Sequence, residues 1–233
     1  MTLLLFLYSI LMFSQDKTSR VEYSLIVGED SKFDNSPVAE YYKEARKNAK
    51  YVTFFLDFND TAMLFYENKK MNSGENNTNF SSAFSGVDGK YYKEKKSNII
   101  FNEIDNHIGH IILKKIDDTK WVLTKESKKI QGYLCYKATT VSTVKNSAGT
   151  FKRTIIAWYC PMIPASFGPK GYGGLPGLIL ELQDRNIIIG ATKIELKTKD
   201  AKIEIPKNGK LVTEEEYKKL ITDFAKKIED ESK

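Results

Sequence analysis

Short runs rich in Val, Ile, Phe, Tyr and Thr recur along the chain, divided by breaks rich in Gly, Asn, Asp and Lys. The breaks fall about 8 to 12 residues apart, and this spacing constrains the fold more than any other feature. A parallel β-α-β unit needs a crossover of a dozen residues or more, which most of these breaks cannot supply. Consecutive strands must therefore turn back on one another, and the expected fold is a meandering antiparallel sheet.

Arg20 to Val27 reads as a first strand. Ser36-Pro37 then offers an N-cap and a first-turn proline for a short helix near residues 37 to 49. Two apolar runs between Tyr51 and Phe65 flank Asn59-Asp60, which predicts a hairpin. Residues 69 to 96 are so rich in Asn, Ser, Gly, Lys and Tyr that a mobile insertion is expected there. Strands resume at Asn98 to Ile104, Gly109 to Ile116 and Lys120 to Thr124, and again at Leu178 to Leu182 and Ile187 to Lys199. At the C-terminal end Thr213-Glu214-Glu215-Glu216 is a capping box, with Val212 placed to staple Tyr217. Tyr217, Leu220, Ile221, Phe224, Ala225 and Ile228 follow at helical spacing, so an amphipathic helix is expected to lie on the sheet.

The N-terminus differs from everything after it: Thr2 to Phe13 is almost wholly apolar and carries no charge. That run is too short to span a hydrocarbon core of ~30 Å, but it suits the apolar region of a secretory signal peptide. No basic residue follows Met1 and no A-x-A site is present, yet composition changes sharply at Gln15. The expected organisation is a leader at residues 1 to 15 and one domain over 16 to 233, without a transmembrane segment in the mature chain. The protein is then exported, and periplasmic or secreted.

Export gives the two cysteines meaning. Cys135 and Cys160 lie in β-prone segments flanking the turn-like sequence Lys145 to Gly149. With Ser147 and Ala148 as the central turn residues, Cys135 faces Cys160, Tyr136 faces Tyr159 and Lys137 faces Trp158; a bulge or longer loop would shift this by one or two. Facing Cβ atoms lie about 4.5 to 5.5 Å apart, and an oxidising compartment favours a disulfide.

The net charge of +6 comes from lysines interspersed with acids. A nucleic-acid surface would gather them on one face, so no nucleic-acid partner is expected. The stretch Gly171 to Leu182 (GYGGLPGLILEL) lacks the lysine and serine of a phosphate-binding loop and leads into a strand, not a helix. Pro176-Gly177 suits a type II turn, and Gly171, Gly173 and Gly174 permit paths closed to other residues. A ligand contact through bare backbone amides stays open beside the turn reading.

Ile130-Gln-Gly-Tyr-Leu-Cys-Tyr-Lys-Ala, Ala157-Trp-Tyr, Ile163-Pro, Phe167-Gly-Pro and Gly174-Leu-Pro-Gly-Leu-Ile179 resemble the GLPGLI family of exported bacterial proteins, most clearly over residues 120 to 199. The resemblance implies an export signal and a β-rich fold, and no established activity.

Catalytic signals are sparse. Asp105, His107 and His110 could contribute to a metal site, but Gly109 favours a solvated turn, so no metal and no cofactor is expected. No G-x-S-x-G elbow exists and no carboxylate pair stands out, so no catalytic residue is named. Trp158, Tyr172 and Tyr91-Tyr92 could line a groove if the sheet curves.

The expected architecture is mainly β: a curved antiparallel sheet or half-barrel, on the pattern of lipoprotein carriers, with the C-terminal helix packed on it. Its concave face would bind an apolar ligand, a peptide, or an outer-membrane transporter or envelope complex. Gly168, Pro169, Tyr172, Gly173, Gly174, Leu175, Pro176 and Gly177 would form the rim, with Trp158 in the groove. A hydrolase with a site assembled by the fold, or a structural accessory subunit, is the alternative.

Overall fold

The structure, a computed structural model, describes residues 17–69, 77–146, 149–199 and 203–231. The leader therefore lies outside the described residues, as does the Ser147-Ala148 turn. Among the described residues twelve strands form one sheet: β1 (Thr18–Val27), β2 (Thr53–Phe58), β3 (Ala62–Glu67), β4 (Lys90–Glu94), β5 (Ile99–Asn106), β6 (Gly109–Ile116), β7 (Val122–Ile130), β8 (Tyr133–Asn146), β9 (Gly149–Cys160), β10 (Leu178–Asp184), β11 (Ile187–Lys199) and β12 (Lys210–Val212). Among the described residues three α-helices accompany them, α1 (Ala39–Asn48), α2 (Asn79–Ser85) and α3 (Glu214–Glu231).

The strand order is β12-β6-β5-β4-β3-β2-β1-β11-β10-β9-β8-β7. Two meanders, β1 to β6 and β7 to β11, are thus stitched together where β1 pairs antiparallel with β11. The meander expectation holds for both, with one departure: β12 runs parallel to β6, which makes the sheet mixed. The sheet is open, with β12 and β7 at its two edges.

Local chemistry accounts for the turns. Asn59 closes the β2–β3 hairpin by accepting through Oδ1 from the amides of Thr61 and Ala62, both at 2.9 Å. The β8–β9 register is the expected one, with Tyr136 opposite Tyr159 and Lys137 opposite Trp158. Helix α1 starts later than the Ser36-Pro37 reading placed it, at Ala39; Ser36 instead accepts from the Val38 amide at 3.3 Å.

The mobile insertion expected at 69–96 is corrected. Residues 70–76 lie outside the described part, but α2 and β4 follow within the same span, and β4 sits between β3 and β5. Tyr91, Tyr92 and Lys93 of β4 are buried. Composition misled here because few side chains are needed to bury a short inner strand that its two neighbours supply with backbone partners.

The sheet's curvature follows from one segment, residues 161–177, between β9 and β10. Gly168 lies against Ile179 of β10, whereas Gly171 lies against Ile100 of β5. In the sheet order β5 and β10 are six steps apart, about 29 Å in a flat sheet at ~4.8 Å per step. Three residues of chain reach at most about 10 Å. The sheet must therefore curl around this segment.

Ile163, Ala165 and Phe167 fill the space so enclosed, together with Val21, Tyr23, Phe54, Leu56 and Phe65 from the strands. Tyr42 of α1 belongs to the same core, with Phe84 of α2 packed against it. The concave apolar face expected to receive a ligand is thus occupied by the chain itself. At about 25 cal/mol per Å² of apolar surface removed from water, burying a side chain such as Phe167 contributes roughly 2 to 3 kcal/mol.

Helix α3 begins with the expected capping box: the Thr213 amide donates to Glu216 Oε2 at 2.7 Å, and the Glu216 amide donates to Thr213 Oγ1 at 3.3 Å. Its packing is less than expected. Tyr217 and Leu220 join a small cluster with Ile104, Ile111, Leu113 and Val212, while Ile221 and Ile228 remain 44% and 49% exposed.

Candidate functional site

The segment read as a ligand-binding rim is mostly interior. Gly168, Pro169, Gly171, Gly173, Leu175 and Gly177 are buried and Tyr172 is half-buried; of the expected rim residues, only Gly174 and Pro176 are exposed. Its amides are largely taken up within the protein: Tyr172 donates to the Pro169 carbonyl, Gly174 to Ser166, Gly177 to Leu175 and Leu178 to Ile163. The Gly173 carbonyl accepts from Trp121 Nε1 at 2.8 Å, and the Trp121 and Tyr172 rings lie 6.0 Å apart.

The type II turn at Pro176-Gly177 does not form. The Gly177 amide bonds back to Leu175 across a three-residue turn, and its φ is +154° rather than the roughly +80° of that turn type. Glycine is required there for two other reasons. That φ suits no L side chain, and a Cβ would overlap the Cys160 carbonyl oxygen.

Lys170, within the same segment, is a residue that sequence reasoning passed over. It takes a left-handed φ of 58°, and its Nζ reaches the Ser85 carbonyl at the end of α2 at 3.4 Å. Burial pulls its pKa down to about 8. A buried ion pair of Lys93 and Asp117 lies close by, with Lys93 Nζ next to Gly173.

Trp158 is not in a groove with these residues. The Lys128 amine sits 4.4 Å from its ring centroid and is held by Glu181 at 2.8 Å, an ion-paired arrangement on the sheet. Tyr91 and Tyr92 are buried, and burial pushes each phenol up to about 12.

Cys135 and Cys160 are fully buried free thiols. They face each other one step beyond the Tyr136–Tyr159 pair, in the expected register, with the side chains in hydrogen-bond contact. The bond expected between them is not formed in this structure.

A second region has the geometry of an open site. A cleft of about 900 Å³ lies at the ends of β2 to β5, walled by α2 and by the approach to β2. Its floor comes from strand register. Tyr66 pairs with Lys90 and Lys90 with Glu103, so these three share one face across three strands; Asp105 and His110 form the next pair on that face.

Lys90 Nζ lies 3.5 Å from Glu103, and His110 Nε2 lies 3.4 Å from the other oxygen of the same carboxylate. Lys50, Tyr51 and Lys69 line the mouth, Glu67 accepts from Ser82 at 2.7 Å, and burial raises the pKa of Asp88. Gly89 allows the Val87-Asp88-Gly89 turn to close against β5, because its φ is +76° and a Cβ would overlap the Glu103 carbonyl. The cleft can therefore offer hydrogen bonds and charges of both signs, beside apolar surface from Val52, Ala83 and Val87. Of the residues read as metal-ligand candidates, Asp105 and His110 meet here at 4.0 Å, and His107 does not line the cleft. Among the described residues no cluster of three His, Cys, Asp or Glu side chains could hold a metal ion.

Residues 147–181 match a family model described as a protein of unknown function (Porph_ging). That span holds β9, the buried segment and the start of β10. No curated protein matches the chain. The fold is similar to two solved structures of PNGF-II, in space groups P21 and C2. The TM-scores are 0.52 and 0.53, at 18% and 17% identity over 88% of this chain. The chain spans about a third of the length of PNGF-II, 33% and 32% in the two structures.

Proposed function

We propose that the protein is an exported, non-enzymatic binding module of the cell envelope that takes a polar, extended ligand, such as a peptide segment of an envelope partner, in the cleft over Tyr66, Lys90, Glu103, Asp105 and His110. The observation that carries this reading is the occupied interior: residues 161–177 fill the concave face that an apolar ligand would need. The open concavity is lined by lysines 50, 69 and 90 and by the carboxylates of Glu67, Asp88, Glu103 and Asp105, which suits a chain bearing both charges and backbone amides. Export rests on the leader-like residues 1–15, and the GLPGLI resemblance rests on the motifs of residues 130–179. Among the described residues no helix is long and apolar enough to cross a membrane. In an oxidising compartment the facing Cys135 and Cys160 join in a disulfide.

The test is native mass spectrometry of the protein recovered from the cell envelope, followed by identification of whatever it retains. A polar peptide should be held, with retention falling at least about tenfold in Lys90→Glu and unchanged in Pro176→Ala. A retained lipid or other apolar molecule would restore the carrier reading and end this one. A hydrolase is the second reading, because Glu103, Asp105 and His110 meet on one wall of the cleft. Turnover of a peptide or glycan bond, abolished by Glu103→Gln, would establish it.

A further inference from the structure

We propose that Cys135 and Cys160 are oxidised to a cross-strand disulfide while the chain folds, and that burial then holds the oxidation state that the folding compartment set. The inference rests on the reading that the protein is exported, since only an oxidising compartment supplies the oxidant.

The geometry has three parts. The two residues lie one step beyond the Tyr136–Tyr159 pair of the β8–β9 ladder, their side chains in contact beside the Tyr23 phenol. Both are 0% exposed, so a soluble oxidant or reductant cannot reach either sulfur in the folded protein. Cys160 is also the last residue of β9, where the buried segment departs at Pro161, and Leu178, where it returns, pairs with Cys160. A bond at this point fastens β8 to the base of the segment that fills the interior.

The chemistry is ordinary exchange with a disulfide of a thiol oxidoreductase or with a small-molecule disulfide such as oxidised glutathione. One cysteine thiolate attacks the oxidant's S–S bond and releases one of its sulfurs as thiolate. The second cysteine attacks the resulting mixed disulfide and releases the other. The chain loses two protons and two electrons, the Sγ–Sγ bond forms, and the oxidant is reduced to two thiols. In an unfolded chain the thiols ionise near pH 8.5 and react readily. In the folded protein desolvation pushes Cys135 up to about 12, which weakens that sulfur as a nucleophile in addition to the lost access.

The experiment has two arms. Protein from fractionated cells is alkylated under denaturing, non-reducing conditions and mapped by mass spectrometry. Exported protein should show one Cys135–Cys160 linked peptide, and exported protein with two alkylated cysteines overturns the proposal. Recovery from the cytoplasm overturns the export reading alone, and the second arm then decides the chemistry. Reduced, unfolded protein is refolded with oxidised glutathione, and folded, reduced protein meets the same oxidant. Refolding should form the bond, and the folded thiols should react at least about a hundredfold more slowly, because reaction then waits on opening of the core. Free thiols after oxidative refolding, or equal rates in the two samples, overturn it.

Discussion

Residues 161–177 contain almost no regular structure and yet hold Ile163, Phe167 and Leu175 at 3%, 1% and 2% exposure, whereas α3 is an unbroken helix with no buried residue at all. Regularity and burial are set by different physics. A helix satisfies its own backbone, so α3 needs only a cap and two anchoring side chains to persist at the edge of the sheet. An irregular segment inside a protein must find partners for its buried amides and carbonyls, and much of that need is met here through Ser166, Leu175, Trp121 and Ile163. The segment is thus expected to be intolerant of substitution where the helix is tolerant.

The largest effect is expected at Gly177. A valine there would place a β-branched side chain at a φ of +154° with its Cβ on the Cys160 carbonyl, and should destabilise by about 4 kcal/mol or more in urea unfolding. Near-native stability in that variant would show that the segment is held loosely and would dissolve the contrast with α3.

Next comes Phe167→Ala, which should lower stability by about 3 to 5 kcal/mol, through lost burial and the cavity left in the main core cluster. In α3 the contrast can be sharpened within one element. Leu220→Ala should cost about 1 to 2 kcal/mol because it joins the cluster under the helix, and Ile228→Ala less than about 0.5 kcal/mol because its side chain is half in water. Equal losses at the two positions would mean that the C-terminal half of the helix is covered in solution.

The smallest effect near neutrality concerns Lys170. Its folded pKa is lowered to about 8 from 10.5, so between those values the unfolded chain binds a proton that the folded one does not. Stability should therefore rise as pH climbs from about 8 to about 10.5, and be insensitive to this group below 8. Lys170→Gln should lack that rise; parallel stability–pH curves for the two proteins would place the Lys170 amine in water.

Much of the fold was legible because it was local. The capping box at Thr213 and Glu216, the Asn59 turn and the Tyr136–Tyr159 register each depend on residues close in sequence, whose hydrogen bonds follow from their side chains and spacing. The candidate site was not legible, because Tyr66, Lys90, Glu103 and His110 are drawn together only by pairing across four strands. Lys90 even lies in the stretch that composition marked as mobile. A period-2 pattern tells which residues share a face, but it does not tell which strands are neighbours.

By itself the sequence determined a β-rich chain of closely spaced reversing strands, a capped C-terminal helix, and a glycine-rich segment that no side chain could follow. Tertiary structure alone decided that the two meanders join through β1 and β11, and that the glycine-rich segment goes inward. The reason is distance along the chain. Turns and caps are settled by neighbours, while the inside of a curved sheet is settled by whichever segment can satisfy its backbone there, and that depends on strands more than a hundred residues away.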